Sequence, residues 1–135
     1  MAGAPAFKLS ISRFVQGLEA NTDTVARNMA SIMAENIIVG GPFSPGTPVD
    51  TGFARGSWYP ALNGQPIDSG PDADATGRAQ RAYGAGRAGD TFELWTNTTY
   101  MPPLEYGHSK QAPRGMVRTT MRSAQAIADA AVRGL

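Results

Sequence analysis

The chain has no cysteine, which excludes disulfide staples and thiolate metal sites, and fits a reducing cytoplasm or any compartment where cross-links are not needed. It has a single histidine, His108, and its carboxylates are scattered, so no zinc or other metal site is expected. No apolar run approaches the roughly 18 residues that mark a membrane-spanning helix, and no membrane partner is expected. The opening segment, Met1-Ala2-Gly3-Ala4-Pro5-Ala6-Phe7-Lys8, lacks both the basic start and the apolar run of a secretory leader. Charge is scarce as well: 17% of residues are charged and the net charge is +1, which excludes strong attraction of the whole molecule to nucleic acid.

Glycine and proline are plentiful, 16 and 10 in 135 residues, so much of the chain is expected to be loop. The length suits one domain, residues 1–135, burying roughly two-thirds of its unfolded surface. A loop-rich domain of this size with long helices gains further burial by oligomerising. Charge is unevenly spread: residues 107–135 carry Lys110, Arg114, Arg118, Arg122 and Arg133 against Asp129 alone.

Apolar residues first recur at helical spacing in Ile11, Phe14, Val15, Leu18, Val25, Met29, Ile32 and Met33. The stripe keeps phase across Asn21-Thr22-Asp23 and predicts one helix over about 12–38, ended by Gly40-Gly41-Pro42. A Met and Ile stripe of this kind is a core face rather than a ligand box. The loop at 42–48 is rich in Pro, Gly, Ser and Thr but has no lysine, so it is not a phosphate-binding P-loop.

The corner of the chain is Pro48-Val49-Asp50-Thr51-Gly52, a turn in which Pro48 fixes φ, Asp50 accepts backbone hydrogen bonds and Gly52 can adopt positive φ. A strand over 53–61 is expected to follow it. Asp50-Thr51-Gly52 is also the tripeptide of aspartic proteases, in which a dimer pairs two such carboxylates around one proton. Against that chemistry, Gly46-Thr47-Pro48 stands where an apolar strand belongs, and no later apolar-apolar-Gly-Arg segment occurs. The plainer reading is an Asx-type turn.

Asn63-Gly64 marks another turn, and 65–76 reads as an exposed loop. A short helix is expected over 76–83. Gly84-Ala85-Gly86-Arg87-Ala88-Gly89 spells G-x-G-x-x-G, but a dinucleotide site needs a strand before it and a helix after it, and here that order is reversed. No cofactor is expected, and the hexad reads as a flexible hinge or loop. Residues 90–97 alternate as a half-buried strand with Phe92 and Leu94 inward, pairing antiparallel with the strand before Asn63 and leaving 63–89 as a flexible insertion.

Tyr100, Leu104 and Tyr106 have apolar bodies suited to a seam, the two tyrosines with polar tips. His108 with Asp50 and Ser57 or Ser109 has the residue types of a triad, but no Gly-x-Ser-x-Gly elbow accompanies them. Pro113 opens a final helix whose buried stripe is Met116, Val117, Thr120, Met121, Ala124, Ile127, Ala128 and Ala131. Arg114, Arg118 and Arg122 then stand four apart on the opposite face, either as a solvated row or as a patch facing a partner.

Thr47-Pro48-Val49-Asp50-Thr51-Gly52, Arg55-Gly56-Ser57-Trp58, Asn97 with Tyr100, Leu104-Glu105-Tyr106-Gly107-His108-Ser109, Ala112-Pro113 and Gly115-Met116-Val117 occur in that order before the terminal helix. In this the chain resembles the tail-completion, or neck, family of long-tailed bacteriophages, over nearly its whole length. The resemblance implies an α+β subunit, a small antiparallel sheet against long N-terminal and C-terminal helices. It also implies a homo-oligomeric ring, commonly a hexamer, at the head-tail junction of the virion, assembled in the host cytoplasm. Such a ring completes or terminates the tail, touches connector and tail-tube proteins and passes genomic DNA through its lumen, without enzymatic activity. It would use Tyr100, Leu104 and Tyr106 at a subunit seam, Arg114, Arg118 and Arg122 toward a partner, and Pro48, Asp50, Thr51 and Gly52 as its structural turn. The alternatives from other classes are the dimeric aspartic protease and a small DNA-binding accessory protein.

Overall fold

A computed structural model of the chain describes residues 22–49, 53–66, 74–96, 101–107 and 110–133. Helix α1 (Thr22–Ile38) carries the second part of the apolar stripe, and Val25, Met29, Met33, Ile37 and Ile38 are all buried. Ala26, Ala30 and Ala34 lie among them at four-residue spacing, small enough for neighbouring elements to approach closely. The first part of the expected 12–38 helix lies outside the described residues.

Two helices flank α1. Helix α3 (Ala75–Tyr83) buries Ala75, Ala79, Ala82 and Tyr83, and helix α6 (Ala124–Arg133) buries Ala124, Ile127, Ala128 and Ala131. Asn28 Nδ2 donates to Ala131 O at 3.2 Å, tying α1 to α6. Asp74 caps α3 by accepting from the Thr76 N–H, which satisfies one of the free donors of its first turn.

The sheet is antiparallel with strand order β2-β1-β3, where β1 is Tyr59–Leu62, β2 is Gln65–Pro66 and β3 is Phe92–Trp95. Asn63 (φ 53°) and Gly64 (φ 78°) make the two-residue turn between β1 and β2, the positive-φ pair that matches strand twist in a tight hairpin. Tyr59 pairs with Trp95, and Leu62 with Phe92, placing Phe92 and Leu94 in the core as their alternation predicts. Pro60 is tolerated in the central strand because it lies beyond the register of β2, which reaches Ala61. The fold is α+β.

Several elements differ from the sequence expectation. The strand expected over 53–61 is shortened to β1, because Phe53–Gly56 forms a single helical turn, α2, whose Arg55 Nε is drawn to Thr47 O at 2.8 Å. The described part of 63–89 is not simply a loop: it supplies β2 and α3, and α3 is the helix that lies against β1. The final helix begins at Val117, not at Pro113, and is divided into α5 (Val117–Arg122) and α6 at Ser123. Thr119 Oγ1 and Thr120 Oγ1 bond back to Gly115 O and Met116 O, which loosens the helical ladder, and Ser123 N–H turns to Thr120 O. Arg114 is therefore in the turn before α5 and does not form one helical row with Arg118 and Arg122.

Candidate functional site

The described parts of the segments singled out in the sequence, 47–49, 55–58, 104–107 and 111–117, meet at one end of α1. There, Val39 and Gly40 N–H groups both donate to Glu35 O, with Gly40 at φ +94°, the left-handed conformation that ends helices. The chain then loops back through Thr47, which is wholly buried. Its N–H donates to Ile38 O, its Oγ1 donates to Ile37 O at 2.7 Å and accepts from Trp58 Nε1 at 2.8 Å, and its carbonyl receives Arg55. One side chain thus ties the last carbonyls of α1 to the buried indole at the start of the sheet.

Helix α4 (Met101–Glu105) brings the second motif to the same place. Glu105 is 1% exposed, and its carboxylate accepts from Met116 N, Val117 N and Arg118 N at 2.8 to 2.9 Å and from Arg118 Nε at 2.9 Å. Arg118 Nη2 also donates to Glu105 O at 2.6 Å. The carboxylate thereby satisfies the free donors at the start of α5, where a negative charge is favourable. Gly107 and Gly115, both at positive φ, let the chain close around this pair: a Cβ on Gly107 would lie 2.5 Å from Pro113 O, and one on Gly115 would lie 2.6 Å from Glu105 Oε2.

Two further contacts link the motifs. Gln111 holds Val49 on both sides, with Oε1 accepting from Val49 N at 2.8 Å and Nε2 donating to Val49 O at 2.9 Å, while Ser44 Oγ donates to Met116 O. The outer rim shows Tyr106, 64% exposed, with the Arg118 guanidinium 4.7 Å from its ring centroid, and Lys110, Arg114 and Arg122 exposed nearby in sequence.

Of the predicted seam residues, Leu104 is half-buried against the core, Tyr106 is exposed and Tyr100 lies outside the described residues. Of the turn, Pro48 is buried, while Asp50, Thr51 and Gly52 lie outside the description, as do His108 and Ser109 of the considered triad. Arg118 is spent on Glu105 and Tyr106, which leaves Arg114 and Arg122 as the outward cations of the three.

The hexad 84–89 is packed against α1 and the sheet: Arg27 Nη1 donates to Gly86 O at 2.9 Å, Ala88 N–H donates to Asp23, and a Cβ on Gly86 would collide with the Phe92 ring. Gly86 serves close packing, whereas Gly89 adopts a positive φ of 93° in open space. Among the described residues no group of three or more His, Cys, Asp or Glu side chains is placed to hold a metal ion, and no helix is long and apolar enough to cross a membrane. Elsewhere, a cleft of about 290 Å³ opens between α1, α3 and α6, lined by Asn28, Ser31, Ile32, Glu35, Gln80, Ala130 and Ala131.

No family model, curated protein or solved structure matches the chain.

Glu105 and Thr47 stand in the sequence only as members of the quoted motifs, with no role assigned, and Gln111 is not singled out. A signal for the first was present: Glu105 is the one carboxylate between Glu93 and Asp129, a span that holds Lys110, Arg114, Arg118 and Arg122, so it had abundant cations within reach.

Proposed function

We propose that this protein is a structural virion protein of a long-tailed bacteriophage, forming a ring at the head-tail junction that completes or terminates the tail and joins it to the head connector. The observation that carries the reading is the convergence of the motif segments. Residues 47–49, 104–107 and 111–117 are distant in sequence yet lock together through Glu105, Gln111 and Ser44. The acid at their centre already accepts four hydrogen bonds within the chain, so it has a positioning role and is poorly placed to act as a general base. What the locus offers outward is an aromatic ring and cations, the materials of an interface.

Such a protein works by docking: aromatic and apolar side chains join neighbouring subunits, and charged faces meet adjacent rings. The near-neutral net charge suits a lumen through which DNA must slide, because dense phosphate contacts would hold it. Immunogold labelling of purified particles tests the location. Label at the head-tail junction supports the proposal; label confined to the capsid shell or the tail tip, or its absence from particles, rejects it. Peptide cleavage at acid pH that disappears in Asp50→Asn would transfer the case to the protease reading.

A further inference from the structure

We propose that Tyr106 of one copy seats in the cleft between α1, α3 and α6 of the next, so that subunits join head to tail through an aromatic knob and a receiving cleft. The inference rests on the ring reading and names the two surfaces that would build it. Tyr106 is the most exposed large hydrophobic side chain among the described residues, yet its backbone is held on both sides, by the buried Glu105 anchor and by Gly107 against Pro113. Arg118 covers one face of the ring and leaves the other free to dock. An anchor ordered before binding loses little entropy on docking.

The cleft has the complementary character. Ile32, Ala130 and Ala131 give it part of its lining in apolar groups, while Asn28, Ser31 and Gln80 supply groups able to meet a phenolic hydroxyl. At about 290 Å³ it is an open cleft with room for one aromatic side chain. Charge fixes the pairing. The partly exposed Arg118 guanidinium lies on the knob, and Lys110, Arg114 and Arg122, exposed as well, flank it in sequence in a stretch, residues 101–122, whose one carboxylate, Glu105, is buried; the cleft carries the exposed carboxylate of Glu35. Knob and cleft are different surfaces of one chain, so their contact is heterologous and gives a ring when the rotation closes.

The absence of native cysteine allows a direct test. Full-length Arg114→Cys and Gln80→Cys variants, each retaining Tyr106, are treated with a short bis-maleimide separately and as an equimolar mixture, while native mass spectrometry reads assembly. Crosslinked dimers in the mixture only, lost when Tyr106→Ala is added to the Arg114→Cys chain, are the expected result. A second arm uses charge: Glu35→Arg and Arg122→Glu should each weaken association at least tenfold, and combining them in one chain should restore it. Rings that assemble without the mixed crosslink, or Arg114→Cys chains that crosslink to themselves, overturn the knob-and-cleft contact and leave the ring reading standing. A chain that stays monomeric at every concentration overturns both.

Discussion

Glu105 and Arg118 form a two-way clamp: the carboxylate accepts both the backbone N–H and the Nε–H of Arg118, and the Glu105 carbonyl accepts from the same guanidinium. The partners are unequal, since the acid is buried and the arginine side chain is 43% exposed. Removing the acid should therefore cost more than removing the base. Glu105→Ala strands the N–H groups of residues 116–118 and is expected to destabilise by about 3 kcal/mol. Arg118→Ala leaves those bonds in place and is expected to cost about 1 kcal/mol. Urea unfolding of both variants checks the order, and equal losses would contradict it.

Thr47→Val keeps the shape of the side chain and removes its hydroxyl. Ile37 O and Trp58 Nε1, both bonded to Oγ1, then lose their partner on that side. The expected loss is about 1 to 3 kcal/mol, with a change in near-ultraviolet circular dichroism as the indole of Trp58 relaxes. Thr47→Ser should recover most of the stability.

Glycines with opposite surroundings give a paired test. A Cβ on Gly86 would run into the Phe92 ring, whereas one on Gly56 meets nothing within 4 Å and its φ is not positive. Gly86→Ala is expected to lower stability by about 1 to 3 kcal/mol through overpacking, and Gly56→Ala to leave it unchanged or slightly raised. Thermal denaturation distinguishes them. If Gly86→Ala were neutral, the close packing of the 84–89 loop would be wrong.

Tyr83 predicts an alkaline limit. Its hydroxyl donates to Glu93 O, and burial, with a smaller contribution from the charge of Glu93, pushes its ionisation well above the ordinary value of 10.0. The folded state then keeps a proton that the unfolded chain releases. Stability from this group is full below about pH 10 and falls as pH rises beyond it. Tyr83→Phe should lose the hydrogen bond at neutral pH yet show a shallower decline between pH 10 and 11.5, measured by denaturation at each pH.

Much of the fold was legible because local signals and packing agree. The Val25, Met29, Met33 stripe, the Asn63-Gly64 turn and the alternation of Phe92 with Leu94 each specify their own conformation. The arginine row was misread because its spacing suits a helix, while the helix start is set from afar by Glu105, whose carboxylate takes the N–H groups of residues 116–118. The locus around Thr47 was hidden for a similar reason: its partners, Ile37, Ile38, Arg55 and Trp58, belong to different elements, and no periodicity joins them. The hexad 84–89 shows the converse, a motif complete in letters whose glycine at 86 is explained by the Phe92 ring.

The most direct test of the proposed neck role is electron microscopy of particles assembled without this chain, scored for tail length and head attachment. The account predicts either overlong tails, the mark of a terminator, or tails of normal length lying free beside filled heads, the mark of a joining protein. Intact, infectious particles would contradict it.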